Sequence, residues 1–185
     1  MYRKGAMVRS ERIWTFPDTL GRLAKCRLIF SGCLIFALTS CMTVVTRQAG
    51  PDVYVVRHLH TPKDVKDPDL TPLGRDYALR LRDWLAQKPP TAIFVSNTKR
   101  AKQTAAPTAE RYRVIPIVYD PSDTKGLLAS IRQQRGTVLV VGHSNTVPDI
   151  VAGLGGERPT PLSHEDFGEV WYLRGENETW SRTRL

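Results

Sequence analysis

Three short apolar runs constrain the fold more than anything else in this chain: Val53-Tyr-Val-Val56, Ala92-Ile-Phe-Val95 and Thr137-Val-Leu-Val-Val141. None alternates polar with apolar residues, so each belongs to a strand covered on both faces. The segments between them have helical spacing. Thr71-Pro72 offers an N-cap with proline at the first helical position. Leu73, Tyr77, Leu81, Trp84 and Leu85 then predict one apolar face, and Pro89-Pro90 ends the helix. A second helix is predicted over about 98–111, with Pro107 bending or interrupting it. A third carries Leu127, Leu128 and Ile131, and a fourth covers about 145–154. Val114–Val118 reads as a short third strand, and Glu169–Leu173 as a last strand at the sheet edge before a polar tail. This alternation predicts an α/β three-layer sandwich: a mainly parallel sheet with right-handed crossovers and helices on both faces. In such sheets a ligand lies beyond the carboxyl ends of the strands.

Those ends carry the reactive residues. Arg57-His58 follows the first run, Gly142-His143-Ser144 follows the most apolar one, Ser96 closes the run between them, and Arg100 opens the next helix. Arginine offers a planar fork that fits phosphate oxygens, and a protonated histidine adds another donor. An in-line nucleophile needs an unprotonated nitrogen, so the two histidines should have unlike roles. The set predicts a pocket for a tetrahedral dianion and phosphoryl transfer through a phosphohistidine. No metal or cofactor is expected, because the arginines neutralise the charge and would repel a cation shared by His58, His60 and His143. His164-Glu165-Asp166 reads as a solvated loop.

These residues resemble the histidine phosphatase superfamily, the phosphoglycerate-mutase-like clan. Arg57-His58 matches its opening motif, Leu70-Thr71-Pro72-Leu73-Gly74 its Leu-Thr-x-x-Gly, and Ser96 to Ala105 its Ser-x-x-x-Arg-Ala-x-Gln-Thr-Ala. Gly142-His143-Ser144 matches its late Gly-His-Ser, so four motifs occur in order over roughly 52–173. The resemblance implies His58 as the nucleophile, with Arg57, Arg100 and His143 holding the phosphoryl oxygens and water hydrolysing the intermediate. Leu59 stands where the family has Gly or Ala, which predicts crowding of the backbone beside the pocket. His60 and Thr61 follow as candidate substrate contacts, with Asn145 a third. Ser144 replaces the Asp of acid phosphatases, and the insertion that carries the general acid in larger members is absent. Asp120 and Asp123, after the third strand, are the candidate acids, with a turn and a helix cap as their structural reading. The alternatives are a non-catalytic phospholigand-binding or envelope interaction protein, or a phosphomutase.

The net charge of +9 suggests nucleic acid until it is divided along the chain. Residues 1–40 hold seven Lys/Arg and two Asp/Glu, leaving +4 for the rest, so a targeting segment explains more than half of it. No nucleic-acid partner is expected. After basic residues 22–27 comes the eleven-residue run Leu28–Leu38, then Leu38-Thr39-Ser40-Cys41. That is the layout of a secretory signal, too short for the ~20 residues of a membrane-spanning helix, and its end resembles a bacterial lipobox. The expected organisation is a signal over 1–41 with Cys41 as the lipidation site, a tether over 42–51 and a phosphatase domain over 52–185. The cysteines, Cys26, Cys33 and Cys41, all lie in this leader, so the domain has no disulfide framework. The expected location is the bacterial envelope, with a lipid anchor in the membrane and a phosphorylated small molecule or phosphoprotein as partner.

Overall fold

The computed structural model describes residues 50–175 and 179–185. The expected signal, Cys41 and most of the tether lie outside the described residues. Among the described residues no helix is long and apolar enough to cross a membrane.

Six strands form one sheet in the order β3-β2-β4-β1-β5-β6. In chain order they are β1 (Asp52–Arg57), β2 (Ala92–Ser96), β3 (Ile117–Tyr119), β4 (Thr137–Gly142), β5 (Glu169–Arg174) and β6 (Thr179–Arg184). The first four run parallel, and β5 and β6 add antiparallel. β1 and β4 are buried along almost their whole length, as their unbroken apolar runs require.

Four helices cover the sheet: α1 (Pro72–Trp84), α2 (Lys99–Tyr112), α3 (Thr124–Arg132) and α4 (Val147–Gly153). Alternate strand residues face opposite ways and so sort them into layers. Tyr54, Val56, Ile93, Val95, Leu139 and Val141 pack with Leu81 and Leu85 at the end of α1 and with Ala101 and Ala105 of α2. Val53, Val55, Phe94, Val138 and Val140 pack with Leu127 and Ile131 of α3 and with Val147, Ile150 and Val151 of α4. The chain leaves β1 toward one face and β4 toward the other. These neighbouring strands therefore open a crevice at their carboxyl ends.

Several sequence expectations need correction. β5 is not the edge: β6, built from the tail expected to be irregular, pairs outside it. The buried stripe of α1 is Gly74, Ala78 and Leu81, continuing to Leu85, whereas Leu73 is 49 % and Trp84 38 % exposed. The reason is close approach: a Cβ on Gly74 would lie 2.4 Å from the His60 carbonyl oxygen. Helix α2 runs through Pro107 as one element. The third strand is displaced to Ile117–Tyr119, and α4 begins at Val147 after a turn that holds Asn145.

Candidate active site

The register of β1 on β4 pairs Arg57 with Gly142. The ladder continues one step further, as the His58 amide donates to the Gly142 carbonyl at 2.9 Å. His58 and His143 are thereby brought side by side, ring centroids 5.4 Å apart and planes tilted by 57°. His58 Nδ1 lies 3.0 Å from the Leu59 carbonyl oxygen. A carbonyl only accepts, so Nδ1 carries the proton and Nε2 the lone pair. Burial drives the His58 pKa down to about 3, against the pull of the Leu59 carbonyl, with Arg57, His143 and Arg100 lowering it further. The ring is neutral at physiological pH.

His143 is fixed differently. Its amide donates to Thr146 Oγ1 at 2.9 Å, and its Nε2 bonds Ser96 Oγ at 2.8 Å, which in turn meets Thr98 Oγ1 at 3.0 Å. Burial again lowers its pKa, to about 4, followed by Arg100 and Arg57, while Asp67 opposes them. Arg100 Nη1 donates to Asp67 Oδ1 at 3.2 Å, and the same oxygen accepts the Lys99 amide at 3.0 Å. Arg57 points its Nη1 at the carbonyl oxygens of Ser163, His164 and Asp166. Arg57 Nε, His143 Nδ1 and His60 Nδ1 are buried with no hydrogen-bond partner in the protein. Such groups cost free energy unless something satisfies them. Arg57 Nε is a donor in every state, and His143 Nδ1 becomes one in the protonated ring or in the tautomer whose Nε2 accepts from Ser96, so the pair suits an anion.

The segment after β1 is tied to α2 by residues of the same motif as Arg100. The Leu59 amide donates to Thr104 Oγ1 at 3.0 Å, and Thr104 donates to the Arg100 carbonyl at 2.8 Å. Gln103 accepts from the Leu70 amide and donates to Asp69. Leu59 does not crowd the pocket: its side chain is fully buried with Leu70 and Ala78. His60 is half-buried between the rings of Tyr77 and Phe167, each 4.6 Å away. Thr61 is buried, whereas Asn145 is exposed in the turn before α4.

The structure does not bring Asp120 and Asp123 to the histidines. Asp120 is exposed and its Oδ1 accepts from both the amide and the hydroxyl of Ser122, while Asp123 caps α3 through the Gly126 amide. The carboxylate whose charge reaches His143 is that of Asp67. The sequence reading missed Ser96 as the partner of His143, and Phe167 altogether. Ser96 was legible, since it ends a strand neighbouring that of His143. Phe167 sits in a loop without periodicity, behind charged residues, and gave no signal. Among the described residues no group of three or more His, Cys, Asp or Glu could hold a metal.

The sequence pattern of the Histidine phosphatase superfamily (branch 1) matches residues 53–122, the stretch that contributes Arg57, His58 and Arg100. Over this segment the chain is similar to the histidine phosphatases. A phosphatase-type enzyme is the class that the match supports. No curated protein matches the chain. Among solved structures, the protein histidine phosphatase SixA complexed with tungstate is 21% identical, with 71% of this chain and 94% of that one covered and a TM-score of 0.56. A SixA described as a putative phosphohistidine phosphatase of Agrobacterium tumefaciens is also 21% identical, with 71% and 95% covered and a TM-score of 0.53. The mycobacterial glucosyl-3-phosphoglycerate phosphatase is 15% identical, with 72% and 97% covered and a TM-score of 0.56. At these identities the likeness is one of fold, and it is the phosphoglycerate-mutase-like sandwich described above.

Proposed function

We propose that the chain hydrolyses a phosphomonoester or phosphoramidate through a phosphohistidine on His58. The observation that carries this reading is the Leu59 carbonyl on Nδ1, which leaves Nε2 of a neutral ring as the nucleophile. The lone pair of Nε2 forms the P–N bond as the P–O or P–N bond to the leaving group breaks, and the leaving group takes its electron pair and a proton from solvent. Water then attacks phosphorus, breaks the P–Nε2 bond and releases inorganic phosphate with the ring restored. Arg57, Arg100 and His143 hold the phosphoryl oxygens throughout, His143 becoming a donor at both nitrogens once the dianion raises its proton affinity. With Asp120 and Asp123 engaged elsewhere, the chemistry suits a leaving group that departs without a dedicated acid, such as an imidazole or a phenol.

The substrate is a phosphorylated small molecule or a phosphoprotein. Similarity in fold both to SixA phosphatases and to a sugar-phosphoglycerate phosphatase supports testing each class. Phosphohistidine peptides, phosphosugars and an aryl phosphate would be assayed side by side, with rapid acid-free trapping of the enzyme and mapping of the phosphorylated peptide. A phosphoryl group on His58, stable in alkali and lost in acid, is expected. Turnover with no phosphorylation of His58 would overturn the mechanism.

For location, we propose that residues 1–41 direct export and that Cys41 is lipidated, so that 42–51 tether the domain 52–185 to a bacterial envelope membrane. The basic lead, the eleven-residue apolar run and the small residues before Cys41 support this. Cys41→Ser should move the protein from the membrane to the soluble fraction. Full retention in the membrane would remove the anchor.

A further inference from the structure

The loop between α4 and β5 holds Arg57 through its backbone and one ring. Its carbonyls at Ser163, His164 and Asp166 all accept from the single nitrogen Nη1. The guanidinium carbon lies 4.3 Å from the centroid of the Phe167 ring. That ring is 5 % exposed and also meets His60 at 4.6 Å, His164 at 5.6 Å and His58 at 5.9 Å. The loop holds its own shape: the Asp166 carboxylate accepts the Ser163 amide at 2.6 Å, and the Ser163 hydroxyl accepts the Glu165 amide at 3.3 Å. Gly168, at φ +81°, turns the chain from Phe167 into β5 in a conformation that other residues rarely adopt.

We propose that Phe167 is a positioning residue for phosphoryl binding: with the three carbonyls it clamps one edge and one face of the Arg57 guanidinium, leaving the Nε edge for the anion. The clamp solves a specific problem. Arginine at a strand end has four side-chain torsions to restrict, and a guanidinium held only by its ligand would be ordered anew in each binding event. Carbonyls that take Nη1 alone fix the rotation of the fork, because Nε is left as the buried orphan donor. The aromatic face fixes its plane and complements its charge. Against the same ring lie His58 and His60, so one side chain registers the nucleophile to the arginine that receives the oxygens. This rests on the phosphohistidine reading of the site.

The test is a double-mutant cycle in the full protein with two readouts, vanadate affinity and kcat/KM for an aryl phosphate. Phe167→Leu removes the ring while keeping an apolar side chain, and Phe167→Met serves the same purpose if the leucine variant fails to fold. Loss of one cation–ring contact should weaken vanadate binding and kcat/KM together by about tenfold, and Phe167→Tyr, which keeps the ring, should recover most of it. Arg57→Ala should show a larger loss, and adding Phe167→Leu to it should cost little more, because the cation that the ring presents is already gone. Additive losses in the double variant, or a ring-less variant that binds vanadate like the parent, would overturn the clamp while leaving the phosphatase reading intact. A parent protein that neither binds vanadate nor hydrolyses any phosphate would overturn both.

Discussion

Two polar clusters sit at opposite ends of β1, one around Asp52 and Lys88 and one around Arg57 and the histidines, and they differ in whether the polar atoms of the cluster are paired. At the start of β1, Asp52 accepts from Lys88 Nζ at 2.5 Å through one oxygen and from the Gly175 amide at 2.9 Å through the other. Lys88 also donates to the Tyr172 hydroxyl at 2.7 Å, and Tyr172 stacks on Tyr54 with centroids 4.5 Å apart. At the far end of the same strands, Arg57 Nε, His143 Nδ1 and His60 Nδ1 are buried and unpaired. A closed network rigidifies a fold, whereas an open one is stored binding energy for a ligand. The difference separates a self-contained structural cluster from a candidate site.

The largest test of that difference is His58→Ala. Removing the nucleophile should lower aryl-phosphate hydrolysis by about four orders of magnitude or more, measured in steady state, with the fold intact by circular dichroism. Residual activity within tenfold of the parent would take the function away from the open end. The next test is pH. His58 and His143 have folded pKa values pushed down to about 3 and about 4, whereas the unfolded chain binds their protons near 6.5. Between those limits the unfolded state holds more protons, so stability falls as pH drops from 6.5 toward 4 and is unaffected by these groups above 7. Urea denaturation should show a loss of up to about 2 kcal/mol per histidine between pH 7 and pH 5. Phosphate or vanadate should reverse part of it, because the anion stabilises protonated His143. The closed end titrates elsewhere: burial raises the Asp52 pKa but the bonds from Lys88 and Gly175 lower it more, so its support is lost only below about 4. Replacing His143 by Gln should roughly halve the loss in the upper window, leaving the His58 share and the lower window in place.

The same contrast explains what the sequence disclosed. Runs such as Val138–Val141 have no polar side to hide, so strand, burial and parallel pairing were readable together, and with them the strand-end positions of Arg57, His58 and His143. β6 was not readable, because Thr-Trp-Ser-Arg-Thr-Arg faces solvent almost throughout and has no apolar run; it is held by its backbone ladder to β5, by the Arg182–Glu169 ion pair and by Trp180 packed on the core. Leu81 and Leu85 of the expected α1 face are buried, but its first two turns were misread by one position, because a glycine that packs backbone to backbone carries no hydrophobic signal. Arg57's partners were hidden for a related reason. Backbone carbonyls belong to every residue, so a loop that binds through them has no sequence signature. Phe167 is one aromatic among many until folding places it against Arg57.

A middle-sized effect tests the closed end directly. Lys88→Met should cost about 1 kcal/mol in chemical denaturation, the range of a partly exposed ion pair with a hydrogen-bonded neighbour, with kcat/KM unchanged. An equal loss of stability and of catalysis would mean that the two ends are coupled along β1, and the contrast between them would fail.

The smallest expected effects belong to a region that shares the position of one end and the chemistry of the other. Asp120 and Asp123 follow β3, at the same sheet edge as the histidines, yet each carboxylate is engaged by its own turn or helix. Asp120 is held below its usual range by the Ser122 amide and hydroxyl, so it carries no proton to donate at neutral pH. If satisfaction rather than position marks function, Asp120→Ala should change kcat/KM less than threefold for aryl and alkyl phosphates alike. Asp123→Ala should cost about 1 kcal/mol of stability, as the loss of a helix cap does, with the same indifference in rate. Comparing the two leaving groups makes the test sharp, since a proton donor matters little to a phenolate and greatly to an alkoxide. A hundredfold loss confined to the alkyl phosphate would identify that aspartate as the acid, reached by a movement of the turn, and position would then outrank satisfaction as the guide to this site.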